Sequence, residues 1–148
     1  MVLLSPDVCS TVEHSLNILP IFVYGTLKPG YENHDMIVRS VIKQEPAVLH
    51  RAALYTQGAY PFLVQVDDLC EHEDCVKGLL MLLSSGHYAE QLAQMDELEG
   101  TVYGLYERIL VTVETSTGLQ QSWCYTAGPK VLQAIRTGRL VKVNSGVW

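Results

Sequence analysis

The sequence contains few basic residues, and those it has are scattered along the chain. Its 148 residues include 10 Lys and Arg against 16 Asp and Glu, which gives a formal net charge of −6. Proteins that bind nucleic acids draw much of their affinity from clustered Lys and Arg that contact phosphates. We therefore expect no nucleic-acid partner.

Long hydrophobic runs are also missing, and we expect no secretory signal. No apolar run approaches the roughly 20 residues that span a bilayer. Near the amino terminus, Asp7 and Glu13 stand where a signal peptide carries Lys or Arg. The length suits one ordinary domain with a single core. These features predict a cytoplasmic protein with no membrane partner.

The sequence has only four cysteines, which are Cys9, Cys70, Cys75 and Cys124. Dispersed cysteines in a chain without a secretory signal predict free thiols. Cys70, His72 and Cys75 lie close together among carboxylates, but zinc sites normally need four ligands, usually as two separated pairs. We therefore interpret residues 67–75 as a solvated acidic loop and expect neither a metal nor another cofactor.

Apolar, β-prone segments recur along the chain between short runs of Gly, Pro, Asp or Ser. They predict strands near residues 19–25, 47–55, 61–66, 75–83, 106–115 and 121–127. Helical patterns cover residues 34–42, 86–98 and 129–137. This combination predicts an α+β fold built on a closed or strongly curved sheet. Residues 1–18 are polar and mixed, which predicts a loose arm before a domain over residues 19–148.

The most informative stretch is Ile21–Gly30, with the sequence IFVYGTLKPG. Its first four residues are β-branched or aromatic, as a packed strand requires, and we expect a positive φ at Gly25. The backbone N–H groups of residues 26–28 are expected to be unpaired. Such amides at a strand end form an anion site for a carboxylate or a developing oxyanion. The alternative is a plain tight turn after a core strand.

One carboxylate of the helix that precedes Gly100 falls on the apolar stripe of that helix. The stripe recurs at helical spacing and consists of Tyr88, Leu92, Met95 and Glu99. Burial would disfavour the ionised form of Glu99, and the negative end of the helix dipole acts in the same direction. The sequence therefore predicts a raised pKa for Glu99, which suits a general base near neutral pH.

The neighbouring carboxylates and a structural role for Glu99 are the alternatives at this helix end. Asp96 and Glu97 lie away from the stripe, and we interpret both as solvated charges. A structural Glu99 would bond Arg108 or a tyrosine and brace the fold without taking part in catalysis. The residues alone favour neither role of Glu99.

The loop FVYGTLKPG and the later segment DELEG resemble the γ-glutamylcyclotransferase-like proteins. This family includes γ-glutamylamine cyclotransferases and avirulence-induced-gene-like plant proteins. The resemblance extends over residues 20–148 through Asn33-His34, Tyr60-Pro61, Tyr106-Glu107-Arg108, Trp123-Cys124-Tyr125 and Ser145–Trp148. It implies a compact mixed β-barrel of about six strands with short flanking helices.

The resemblance also implies a site and a reaction. It assigns the catalytic carboxylate to Glu99, and it assigns substrate binding to Tyr24, Gly25, Thr26, Leu27, Tyr106 and Tyr125. From the residues alone, each of the last two tyrosines is a core tyrosine with a satisfied hydroxyl.

The implied activity, of the transferase or lyase type, closes a small γ-glutamyl amide to 5-oxoproline and a free amine without a metal or nucleotide. The loop reads YGTL where glutathione-degrading relatives have YGSL, which disfavours glutathione as the substrate. A non-catalytic module that binds a small carboxylate in the same pocket is the alternative.

Overall fold

A computed structural model of the chain describes residues 18–25, 28, 41–98 and 104–148. The predicted arm lies outside the described residues except for Ile18, which packs against the barrel. Most of the predicted helix at 34–42 also lies outside them, as do the candidate site residues Thr26, Leu27 and Glu99. The boundary between arm and domain stays a prediction.

The described residues form strands and helices in an α+β arrangement, as predicted. The strands are β1 (Ile21–Val23), β2 (Val41–His50), β3 (Ala53–Thr56), β4 (Pro61–Val64), β5 (Cys75–Leu83), β6 (Tyr106–Thr115), β7 (Gly118–Ala127) and β8 (Val141–Val143). The helices are α1 (Tyr88–Leu98) and α2 (Pro129–Arg136).

Five strands close into a barrel in the order β1-β5-β2-β6-β7, which confirms the predicted mixed barrel with flanking helices. The short strand β1 completes the closure, because it pairs antiparallel with β5 and parallel with β7. The long strands β6 and β7 form a hairpin that runs from Tyr106 opposite Ala127 to Thr115 opposite Gly118. Closure leaves the barrel without an open edge.

Side chains alternate along the barrel strands between an inner and an outer cluster. The inner cluster draws residues from every barrel strand and comprises Phe22, Tyr24, Ala47, Leu49, Ala52, Leu54, Leu63, Val76, Leu80, Val111, Val113 and Cys124. The outer cluster joins the barrel to α1 and comprises Ile21, Val23, Met81, Leu83, Tyr88, Met95 and Tyr125. Helix α1 therefore packs on the outside of the barrel.

A second sheet of three strands, in the order β4-β3-β8, contributes to the inner cluster and also packs against α2. Helix α2 has Pro129 in its first turn and is followed by Thr137 and by Gly138 at a φ of 80°. Proline at the start and glycine just past the end are the signals from which this helix was predicted.

Two of the predicted segments are wrong in part. The strand expected at 47–55 is two strands in different sheets, because Arg51 adopts a φ of 55° and breaks the run without Gly or Pro. The predicted helix at 34–42 includes Val41 and Ile42, which belong to β2. Pairing of Val41 with Leu83 in β5 gives these residues a β partner that the local pattern did not indicate.

Gly78 in β5 provides a test of how closely β1 fits the barrel. A Cβ at this position would lie 2.3 Å from the carbonyl oxygen of Val23 and 3.0 Å from the ring of Phe22. We expect Gly78→Ala to lower the free energy of unfolding by about 1–3 kcal/mol, because overpacking forces the backbone to shift. Urea unfolding measures the loss. In the control Gly86→Ala, the new Cβ has no atom within 4 Å, and equal stability of the two variants would contradict the prediction.

Candidate active site

The turn after β1 differs from the sequence expectation in two ways. The N–H of Lys28 donates to the carbonyl of Gly25 at 3.0 Å, so the prediction of an unpaired Lys28 amide is wrong. The φ of Gly25 is not positive either. Glycine is required for a different reason, since a Cβ at residue 25 would lie 2.9 Å from Cγ of Pro61. The start of β4 therefore packs directly on this turn.

Tyr24 is buried and connects the turn to two other strands. Its hydroxyl donates to the backbone carbonyl of Tyr125 in β7 at 2.5 Å. The same hydroxyl accepts a hydrogen bond from the N–H of Leu63 in β4 at 3.3 Å. The side chain therefore fixes the position at which β1 ends and Gly25 begins.

Tyr106 lies at the start of β6 and contacts the same part of β4. Its hydroxyl donates to the carbonyl of Pro61 at 2.9 Å, and its ring stacks on Phe62 with 4.7 Å between centroids. The ring of Pro61 approaches Gly25 while its carbonyl binds Tyr106. Pro61 thus brings the predicted loop and the predicted tyrosine of β6 together.

Tyr125 contacts the last turn of α1 through its side chain. Its hydroxyl donates to Oδ1 of Asp96 at 2.6 Å. Arg108, which lies opposite Tyr125 in the β6–β7 pairing, donates from Nε to Oδ1 at 2.8 Å and from Nη2 to Oδ2 at 3.2 Å. The interpretation of Asp96 as a solvated charge is therefore wrong, since its side chain is 29% exposed and engaged in a forked ion pair.

Trp123 is a further residue of this cluster, and its position was not predicted from the sequence. The guanidinium carbon of Arg108 lies 4.5 Å from the centroid of the Trp123 ring, which adds a cation–π contact to the ion pair. Alternation along β6 and β7 was the available signal, because it places Arg108, Trp123 and Tyr125 on one face of the hairpin. The reach of Arg108 to α1 was not visible in the sequence.

A positive charge lies beside the turn. Burial lowers the pKa of Lys28, and its Nζ donates to the backbone oxygen of Trp148 at 3.4 Å. Trp148 itself packs against the inner cluster. Since burial disfavours the ammonium form of Lys28, an anionic group close to Nζ would stabilise that charged form.

Contacts connect the described candidate residues into one region, while Thr26, Leu27 and Glu99 lie outside the described residues. Tyr24 and Gly25 contact Tyr125 and Pro61, and Pro61 contacts Tyr106. Helix α1 ends at Leu98, the residue that precedes Glu99 in the sequence. The region therefore joins the turn after β1, the start of β4 and the hairpin, and the hairpin in turn contacts the last turn of α1.

The acidic loop forms ion pairs with the rest of the fold. Asp68 pairs with Arg136 and Asp74 pairs with Lys142, and the hydrogen bond from each cation lowers the pKa of its carboxylate. Free thiols are found at Cys70, Cys75 and Cys124. Within the described ranges, no three His, Cys, Asp or Glu side chains are grouped as a metal site would require.

No helix among the residues that the structure describes is long and apolar enough to cross a membrane.

The sequence and the fold of the chain are similar to those of known proteins. Residues 21–148 match the family described as gamma-glutamyl cyclotransferase, AIG2-like. The γ-L-glutamyl-butirosin B γ-glutamyl cyclotransferase of Niallia circulans is 30% identical over 110 residues, which cover 71% of this chain and 64% of that protein. The chain thus spans less than two thirds of that relative.

Two further proteins are similar over much of the chain. A relative from Vibrio cholerae serotype O1 is 35% identical over 105 residues, which cover 71% of this chain and 78% of that protein. The crystal structure of YkqA from Bacillus subtilis superposes with a TM-score of 0.61 at 25% identity, covering 88% of this chain and 39% of the YkqA chain. With the match over residues 21–148, these similarities show that the chain belongs to the γ-glutamyl cyclotransferase, AIG2-like family.

Proposed function

We propose that the chain is a γ-glutamyl cyclotransferase that closes a γ-glutamyl amide on itself and releases 5-oxoproline and a free amine. One observation carries the proposal beyond family membership. The backbone carbonyl of Tyr125 accepts the hydroxyl of Tyr24, the residue before Gly25, and its side chain contacts the turn of α1 that precedes Glu99. Two elements with complementary chemistry, a loop for an anion and a helix end with a carboxylate, are therefore linked through one residue.

The reaction needs one proton carrier and an oriented substrate. The α-amine of the glutamyl group attacks its own γ-carbonyl carbon, a C–N bond forms, and the bond to the leaving amine breaks. In our proposal, Glu99 accepts a proton from the attacking ammonium and returns it to the leaving nitrogen. Because both reacting groups belong to one molecule, holding the substrate in a folded conformation supplies much of the rate enhancement.

Substrate binding is assigned to the turn after β1 and to the tyrosines around it. The amides of Gly25, Thr26 and Leu27 would hold the substrate carboxylate or the developing oxyanion, and the ammonium of Lys28 favours an anion there. Tyr24, Tyr106 and Tyr125 donate their hydroxyls to protein acceptors. We therefore assign these tyrosines to the walls of the site.

The substrate class follows from the loop sequence. The YGTL loop favours a γ-glutamyl amine or a γ-glutamyl amino acid over glutathione. The name of the Niallia circulans relative gives γ-L-glutamyl-butirosin B as its substrate, which supports a γ-glutamyl compound other than glutathione. A cytoplasmic location stays a prediction from the sequence.

A catalytic role for Glu99 is tested by Glu99→Gln. The amide keeps the shape of the side chain but carries no proton between the two nitrogens, so we expect kcat to fall by a factor of about 10² to 10⁴. Release of 5-oxoproline from a panel of γ-glutamyl amines and amino acids measures the rate. Glu97→Gln, on the exposed side of α1, is the matched control and should retain the parent rate. A fully active Glu99→Gln would disprove the catalytic role of Glu99. If the folded parent binds 5-oxoproline but turns over no substrate in the panel, that result would favour the non-catalytic alternative.

The contact between Gly25 and Pro61 generates a prediction about the loop. In Gly25→Val, the new side chain must displace Pro61 or move the turn, so the amides that hold the anion lose their alignment. We expect kcat/KM to fall by about 10²-fold or more, in line with the loss of an oriented oxyanion donor. Gly86→Ala is again the control. A Gly25→Val variant with parent kinetics would exclude the loop from substrate binding.

Metal independence is the third prediction for the reaction. Chelator treatment should leave the rate unchanged, because the proposed proton transfer and anion binding use protein groups only. Replacing Cys70, His72 and Cys75 together by Ala should also leave activity near that of the parent. Stoichiometric zinc in the purified protein, lost along with activity in the triple variant, would contradict this prediction.

A further inference from the structure

Tyr125 takes part in two hydrogen bonds that lead to different elements. Its backbone carbonyl accepts the hydroxyl of Tyr24 at 2.5 Å, and its own hydroxyl donates to Oδ1 of Asp96 at 2.6 Å. The first bond holds the residue before the Gly25 turn, and the second holds the last turn of α1. One residue of β7 therefore contacts both the residue before the turn and the last turn of α1.

The carboxylate of Asp96 accepts hydrogen bonds from both strands of the β6–β7 hairpin. It receives the hydroxyl of Tyr125 and two nitrogens of Arg108, at 2.8 and 3.2 Å. Forked hydrogen bonds between guanidinium and carboxylate are both stronger and more directional than neutral ones. They fix the orientation of the Asp96 side chain as well as its position.

The end of α1 needs such a contact because its own sequence opposes a stable last turn. This turn, all of it within the described residues, contains no Lys, Arg or His. It carries Asp96 and Glu97 at the negative end of the helix dipole, where carboxylates are unfavourable. Met95 is buried, whereas Glu97 and Leu98 are exposed. Arg108 supplies from β6 the positive charge that the helix itself lacks.

Arg108 and the start of α1 are fixed independently of Asp96. The guanidinium of Arg108 lies against the ring of Trp123, so its position does not rest on the ion pair alone. At the other end of α1, the hydroxyl of Tyr88 donates to the carbonyl of Leu19 at 2.7 Å. Loss of the Asp96 contacts should therefore loosen the last turn without releasing the whole helix.

We infer that Asp96, Arg108 and Tyr125 are positioning residues that fix the end of α1 relative to the turn after β1. The inference rests on the proposed function, in which Glu99 follows this turn and carries the proton. Asp96 acts through Glu99 and does not itself exchange protons with the substrate. Misplacement of a reacting group by about 1 Å is enough to cost about 10²-fold in rate.

The central variant is Asp96→Asn, which keeps the size of the side chain and removes the charge that pairs with Arg108. We expect kcat to fall by about 10- to 100-fold with KM within about threefold of the parent, because the substrate loop is untouched. Tyr125→Phe removes only the hydroxyl and keeps the carbonyl that binds Tyr24, so its loss of kcat should be smaller.

Asp68→Asn is the matched control. Asp68 forms a forked pair with Arg136, at 2.9 and 3.1 Å, on the acidic loop. The variant removes the same type of charge pair but should keep the parent kcat and KM. The Asp68 pair is the more exposed of the two, so Asp96→Asn should lose more stability. A purely structural effect of Asp96→Asn would lower stability without a selective loss of kcat.

Amide hydrogen exchange tests the anchor without any substrate. In Asp96→Asn, the amides of the last turn of α1 should exchange at least about tenfold faster, while those of the β6–β7 hairpin stay protected. Faster exchange together with a fall in kcat at constant KM supports the inference. Unchanged exchange, or faster exchange with an unchanged kcat, overturns it.

Different results would disprove the proposed function and the positioning role. If the parent releases no 5-oxoproline from any γ-glutamyl compound, the proposed function is wrong, and a positioning role in that reaction is wrong with it. If the parent and Asp96→Asn are equally active while Glu99→Gln is not, only the positioning role is wrong.

Discussion

Closure of the barrel through β1 is the constraint on which the site depends. This strand is only three residues long, yet it pairs with β5 on one side and with β7 on the other. The N–H of Trp123 also donates to the carbonyl of Pro20 at 2.9 Å, just before the strand begins. Buried backbone groups must be paired, and a one-residue slip of β1 would move its side chains to the opposite face of the sheet. The turn at Gly25 is therefore presented at a fixed place beside β7.

The ion pair between Asp96 and Arg108 constrains the part of the site at the end of α1. The pair between Asp96 and Arg108 is partly withdrawn from water, with side chains 29% and 25% exposed. Such pairs add little net stability because desolvation offsets much of their attraction, but loss of one partner leaves the other charge without compensation. The pair therefore acts mainly as a geometric constraint on α1. The ring of Trp123 packs against the guanidinium of Arg108 and so reinforces this constraint.

Much of the fold was predictable because its signals are local. Pro129 and Gly138 mark the limits of α2, and the apolar run at 75–83 coincides with β5. The break at Arg51 was missed because a non-glycine residue with positive φ leaves no local signal. In the site, the substrate-binding roles of Tyr24 and Tyr106 stay predictions, whereas the interpretation of Asp96 as a solvated charge was wrong. A helical projection shows which face of α1 is apolar, but it does not show that Arg108 on β6 reaches the flank of that face.

The approach of Pro61 to Gly25 has a consequence for how this family can diverge. The two positions are far apart in the sequence, but the 2.9 Å separation from a would-be Cβ at residue 25 makes them a single steric unit. A larger residue at position 25 requires a smaller residue at position 61, a displacement of β4 or a movement of the turn. Among relatives, positions 25 and 61 should therefore covary. Homologues with a residue other than glycine at position 25 should differ in the strand that corresponds to β4.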